Sequence, residues 1–184
     1  MIRYEFYDEV TSTNDMLKAR ALEGENAGLV ICAVSQTKGR GTHERSFHSP
    51  CGGLYFSVLL RPDASAADNL ALTTFAGEVI CGAIRELTGK PVYIKPVNDI
   101  LLDGKKLCGI LTESRLTPEG AADYVIIGAG INLLKPENGF PEELREIAGA
   151  LCEDSAEAAK LREPLLRRIA EQLCAARQAP LPRE

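Results

Sequence analysis

Ile100-Leu-Leu-Asp-Gly-Lys-Lys-Leu-Cys-Gly-Ile-Leu-Thr-Glu113 sets two apolar runs on either side of an Asp103–Gly104 pair. Asp-Gly accepts the two positive φ angles of a tight hairpin turn, so the flanking runs are expected as antiparallel neighbours, Ile100–Leu102 and Lys106–Glu113. Working outward, Val92–Lys95 and Tyr124–Leu133 read as further strands. Upstream, Ile2–Tyr7, Leu29–Val34 and Gly53–Leu60 read the same way, being short, apolar and rich in β-branched or aromatic residues. Two helices interrupt them. Ser12 can cap a helix running to about Leu22, with Asp15 three residues on and Gly24 at its stop. Ser65 and Asp68 open a second, in which Leu72, Phe75, Ala76, Val79, Ile80, Ala83, Ile84 and Leu87 repeat at three- and four-residue steps before Gly89. From Glu142 onward the pattern predicts two short helices, with Pro164 in the first turn of the second and Leu165, Leu166, Ile169 and Leu173 on one face. The expected class is α+β, one mixed and largely antiparallel sheet flanked by helices.

The chain of 184 residues suits one domain, read as residues 1–178 with a proline-rich, frayed tail at 179–184. Hydrophobic residues make up 45% and no apolar run approaches the roughly 20 residues of a membrane helix, so a membrane partner is not expected. The N-terminus lacks a basic segment followed by an apolar one, so no secretory signal is read. The six cysteines stand singly, mostly in apolar runs, as buried thiols of a reducing compartment; the cytoplasm is the expected location. No spacing suggests a metal site. A net charge of −5 with interspersed signs argues against a nucleic-acid partner. The one basic cluster, Lys38, Arg40 and Arg45, lies in a glycine-containing loop and suits a small anion.

That loop, Gln36-Thr-Lys-Gly-Arg-Gly-Thr-His-Glu-Arg45, falls between two strands. Gly39 and Gly41 allow a close backbone approach, and Arg40 and Arg45 can grip carboxylate or phosphate by paired hydrogen bonds. A lone Gly-Arg-Gly is more often a surface turn. Lys95-Pro-Val-Asn-Asp99 taken alone is an ordinary turn signal. Strict alternation from the hairpin puts Lys106 on one face with Cys108 and Ile110, and Lys105 with Leu107 on the other. A lysine among apolar residues commonly snorkels; the sharper reading is an ammonium aimed at a ligand. Gly128-Ala-Gly-Ile-Asn132 ends a strand with residues small enough to admit a ligand, but lacks the third glycine of a dinucleotide fingerprint. Ser12–Asn14 is explained by a helix cap, and a cap can also face a pocket.

In order, Ser12-Thr-Asn14, Gln36-Thr37, Gly39-Arg-Gly41 with Arg45 and Ser49-Pro50, Gly53-Leu-Tyr-Phe-Ser57, Asn98-Asp99, Lys105–Leu111 with Glu113, and Gly128–Asn132 resemble the catalytic domain of biotin protein ligase, in the biotin/lipoate ligase superfamily. The likeness covers about residues 4 to 134. It implies the activation of biotin by ATP, with Mg2+, to biotinyl-5′-adenylate, and transfer to a lysine of a biotin carboxyl carrier domain. By the same resemblance Ser12, Thr13, Asn14 and Gln36 line the biotin pocket, and Arg40, Gly41 and Thr42 belong to the loop over the adenylate. Lys106 and Arg40 are the catalytic pair, while Gly39, Arg45, Asn98, Asp99, Gly109 and Asn132 support the adenylate pocket. A homodimer is compatible with it.

Departures are specific. Thr42 stands where the family often has arginine, Glu44 replaces a third glycine, and Lys95-Pro-Val-Asn-Asp replaces Lys-Trp-Pro-Asn-Asp. Neither an N-terminal DNA-binding segment nor the family's C-terminal barrel is read in the sequence. Two other readings remain: a non-catalytic biotin or adenylate binder, and a lipoate or octanoate ligase. Against the last, Ser12–Asn14 and Gln36 supply polar partners that a plain acyl chain does not need.

Overall fold

A computed structural model describes residues 1–42, 45–61, 69–96 and 98–175. Its centre is a seven-stranded sheet of β1 (Arg3–Val10), β2 (Leu29–Gln36), β3 (Leu54–Leu60), β4 (Tyr93–Lys95), β5 (Asp99–Leu102), β6 (Lys105–Leu116) and β7 (Ala122–Ile131), in the spatial order β1-β2-β3-β7-β6-β5-β4. Only β1 and β2 are parallel; every other neighbouring pair is antiparallel. Asp103 and Gly104, with φ of 50° and 78°, make the tight turn between β5 and β6.

The seven expected strands and the first two helices are present, with shifted ends: β1, β2, β5 and β6 run longer than expected, β3 lacks Gly53, β4 lacks Val92, and β7 runs Ala122–Ile131 in place of Tyr124–Leu133. The parallel pair β1–β2 is bridged by α1 (Thr13–Leu22), capped by Ser12 and followed by Gly24 at φ 89°. α2 (Asn69–Thr88) keeps the apolar repeat and stops at Gly89; its proposed caps Ser65 and Asp68 lie outside the described residues, as do His43, Glu44, Val97 and the tail.

The C-terminal expectation is corrected. In place of two short helices there is one 3-10 turn, Glu142–Leu144, and one 21-residue helix, α3 (Ser155–Ala175), that runs straight through Pro164. An interior proline costs about 3 kcal/mol by removing a hydrogen bond and crowding the carbonyl four residues back. Leu161, Leu165, Leu166, Ile169, Ala170 and Leu173 are buried on that helix, and each large side chain contributes roughly 1.5–3 kcal/mol by leaving water. Burial wins.

The two faces of the sheet are covered unequally. α2 and α3 pack on one face over the main core, which includes Phe56, Ile80, Ile84, Leu107, Cys108, Ile127 and Leu166. α1 covers part of the other through a small cluster of Leu17, Ala21, Leu29, Ile31, Leu59, Tyr124 and Ile126. Its N-terminus therefore ends over the middle of the sheet, leaving the neighbouring ground on β3, β6 and β7 uncovered by helix. Four cysteines (Cys32, Cys81, Cys108, Cys152) are buried, Cys51 is exposed and Cys174 intermediate. No helix among the described residues is long and apolar enough to cross a membrane.

Candidate active site

Beyond the N-terminus of α1 the sheet carries small residues. Gly128 and Gly130 lie on β7, with Gly109 and Leu111 beside them on β6 and Tyr55 and Ser57 on β3. The absence of side chains there is used. A Cβ at Gly128 would meet Asn14 Oδ1 at 2.0 Å, and one at Gly130 would meet Cε1 of Phe47 at 2.4 Å. Ser12, Thr13, Asn14, Gln36 and Arg40 close the remaining sides of a cavity of about 30 Å³, together with Phe47, Gly109, Leu111 and Gly128–Gly130. That is room for water alone.

A chain of hydrogen bonds organises the cavity. Gln36 Oε1 accepts from the Thr13 amide at 2.9 Å, and its Nε2 donates to Ser49 Oγ at 3.0 Å, which donates to the Phe47 carbonyl at 2.9 Å. Ser57 Oγ lies 2.7 Å from Thr13 Oγ1 and 2.6 Å from Asn14 Oδ1. It has one hydrogen, and the amide oxygen can only accept. Ser57 therefore donates to Asn14, and Thr13 donates to Ser57. Asn14 Nδ2 then donates to Glu113 Oε2 at 2.9 Å.

The glycine-arginine loop folds back on itself as a narrow ribbon. Gly41 donates to the Arg45 carbonyl at 2.7 Å and Phe47 to the Gly39 carbonyl at 2.8 Å, with Arg40 and Ser46 facing across it. Gly39 is obligatory, since a Cβ would stand 2.3 Å from the Phe47 carbonyl oxygen. Arg40 reaches over the cavity to Asp15 Oδ1 at 2.5 Å and Glu113 Oε1 at 2.8 Å. Burial acts to lower the Arg40 pKa, but its bond to Asp15 and the charges of Glu113 and Asp15 raise it overall. Arg45 turns away, bonding Thr42 through that residue's carbonyl and hydroxyl.

Lys106 corrects the alternation. Asp99 and Ile100 pair with Gly109 and Cys108, whereas Leu101 and Leu102 pair with Lys106 and Lys105. Leu107 is the extra residue of a β-bulge. It and Cys108 both point into the main core, so Lys106 shares the opposite face with Gly109 and Asp99. Its Nζ lies 2.6 Å from Asp99 Oδ1 and 5.9 Å from the centre of the Phe47 ring. The backbone of Lys106 is held as well, donating to the Ile147 carbonyl and accepting from Gly149.

Arg40 and Lys106 thus stand on one face of the sheet, both beside Phe47, with three carboxylates among them to two cations. Asn98 and Asn132 do not line the cavity: Asn98 Nδ2 donates to the Ile110 carbonyl and Asn132 Nδ2 to the Gly149 carbonyl. Ser57 and Leu111 end two of the stretches that carry the resemblance, whereas Phe47 lies outside all of them; an aromatic just beyond the glycine-arginine loop is its one signal in the sequence. A larger open cleft of about 520 Å³ lies beyond Ser49, walled by His48, Pro50, Cys51, Phe140 and Arg145 among others.

A sequence model of the biotin/lipoate A/B protein ligase family matches residues 6–132. The bifunctional ligase/repressor BirA of Bacillus subtilis is 38% identical over 153 residues, which are 83% of this chain and 47% of that protein. The biotin–[acetyl-CoA-carboxylase] ligase of Mycobacterium tuberculosis is 32% identical over 168 residues, 88% of this chain and 59% of its own. Biotin protein ligase from Aquifex aeolicus, solved in complex with biotin and ATP, superposes with a TM-score of 0.77 at 31% identity, covering 98% of this chain and 74% of the other. The chain spans about half the length of the first of these curated relatives. The matched stretch takes in Ser12–Asn14, Gln36, Arg40, Lys106 and Glu113, and by its sequence and its fold together the chain belongs to the biotin/lipoate A/B protein ligase family.

Proposed function

We propose that this chain activates biotin with ATP and passes it to a lysine of a biotin carboxyl carrier domain. A carboxylate oxygen of biotin attacks the α-phosphorus; the bond to pyrophosphate breaks and biotinyl-5′-adenylate forms. The carrier amine then attacks the acyl carbon, and AMP leaves. The observation that carries this reading is the gathering of Ser12, Thr13, Asn14 and Gln36 under Arg40, with Lys106 on the same face of the sheet.

Two anions must meet for the first step. At about 4 Å and an effective dielectric near 20, one positive charge offsets roughly 4 kcal/mol of their repulsion. Lys106 and Arg40 are the groups suited to supply it, and their effect is greatest where charge concentrates in the transition state. Both are paired with carboxylates in the ligand-free chain, so the arriving anions exchange with Asp15 and Asp99. A cavity of about 30 Å³ cannot hold biotin. The acid gains its place when the Phe47 ring leaves Gly109 and Gly130, and the neighbouring cleft offers room for the nucleotide. Magnesium accompanies the nucleotide, since that ion keeps mostly phosphate and water ligands.

The test is biotin-dependent exchange of labelled pyrophosphate into ATP, run beside lipoate. Exchange with biotin, lost in Lys106→Ala while biotin still binds, is the expected result. Binding without exchange would make the chain a biotin-binding homologue, and exchange with lipoate alone would move the substrate to a plain acyl acid.

A further inference from the structure

We infer that Glu113 is the positioning residue of this site, its two oxygens fixing the loop guanidinium and the pocket amide in one stroke. Glu113 lies on β6 two residues beyond Leu111, paired with Ile126 across β7. Oε1 accepts from Arg40 at 2.8 Å and Oε2 from Asn14 at 2.9 Å. Its side chain is 23% exposed against 45% for Asp15, the other partner of Arg40. Glu113 is the anchored contact, on a strand in the middle of the sheet; Asp15 is the contact open to water.

Two consequences follow from the carboxylate having only acceptors. Asn14 must turn its amide nitrogen to Glu113, because the reversed amide would set oxygen against oxygen. Both of its N–H groups are then engaged, by Glu113 at 2.9 Å and more weakly by the Leu111 carbonyl at 3.4 Å. Its oxygen, already accepting from Ser57, keeps one lone pair for a donor in the cavity. Arg40, for its part, can release Asp15 and swing toward an incoming anion while Glu113 holds one edge of its guanidinium. A glutamine at 113 is close to the same size but offers one acceptor and one donor, so it serves Asn14 or Arg40 and repels the other.

The inference rests on the ligase reading only for its second test. The first is amide hydrogen exchange on the ligand-free chain, comparing wild type, Glu113→Gln and the remote control Glu163→Gln, whose pair with Arg167 lies on the exposed side of α3. Loss of a charge-assisted bond to the loop is expected to speed exchange at Gly41 and Phe47 by about tenfold in Glu113→Gln alone. Equal rates in all three would overturn the anchor. In the second test, biotin-dependent pyrophosphate exchange in Glu113→Gln loses roughly tenfold or more in kcat. In an Arg40→Met background the same substitution costs clearly less than it does alone, because the share that runs through Arg40 is already gone and only the share through Asn14 remains. Full additivity of the two losses would mark Glu113 as a structural residue only. If wild type exchanges no pyrophosphate, the ligase reading fails and the hydrogen-exchange comparison still decides the anchor.

Discussion

The ring of Phe47 rests on the backbone of Gly130, so closely that a Cβ at position 130 would come within 2.4 Å of Cε1. The obstructing atom belongs to a side chain that can turn away, so Gly130→Ala is expected to fold. The new methyl then stands where the acid would lie. Biotin affinity, measured calorimetrically, is expected to fall by about tenfold or more, as for a methyl forced into a fitted site. Wild-type affinity in this variant would show that the acid binds elsewhere.

Ser57 is fully buried and supplies the hydrogen that Asn14 Oδ1 accepts. Ser57→Ala removes that donor and leaves the amide oxygen unpartnered away from water. The expected loss is about 1–3 kcal/mol in urea unfolding, with weaker biotin binding alongside. Unchanged stability would mean that neither the bond to Asn14 nor the bond to Thr13 contributes to folding.

Thr42 carries no charge and uses its oxygens to hold Arg45. With one cation fewer over the phosphate, the adenylate is expected to leave sooner than in relatives with arginine here. Thr42→Arg should lengthen the lifetime of the bound intermediate, roughly threefold to tenfold for one added surface-to-half-buried charge contact. A lifetime equal to that of wild type, measured by release of labelled adenylate into a chase, would remove the residue from this role.

Burial pushes the thiols of Cys32 and Cys152 up to about 11, and Cys108 and the Tyr55 hydroxyl higher still. In the unfolded chain a thiol ionises near pH 8.5–9, so above that range the unfolded state sheds protons that the folded state keeps. Stability from these groups is whole below about pH 9 and is lost as the pH rises through about 11. The urea midpoint should fall over that window, and less steeply in Cys32→Ala/Cys152→Ala. An identical slope in the double variant would assign the alkaline loss to other groups. At pH 8, exposed Cys51 should be the thiol that alkylates first.

Local chemistry in the sequence was a good guide wherever a short stretch decides its own shape. Asp103–Gly104 turns as its residue types require, and Ser12 starts α1 as a cap should. Four features lay beyond that reach. Pro164 signals a break that the buried leucines of α3 override from across the core. The face of Lys106 depends on a bulge opposite Leu101, which no window of one strand contains. The partners of Arg40, Asp15 and Glu113, are 25 and 73 residues away. Ser57 reads as one polar residue in an apolar strand until β7 and α1 are folded around it.

The supernumerary Leu107 acts as a half-turn key cut into β6. Pair the same residues in a regular ladder, with Leu107 included and no bulge, and the Lys106 ammonium would turn toward the hydrocarbon packed between sheet and helices, while Leu107 looked out over the cavity face. A designer who ironed out the bulge by re-pairing the strand, rather than by removing Leu107, would take that ammonium off the face it shares with Gly109 and Asp99 without touching any charged group.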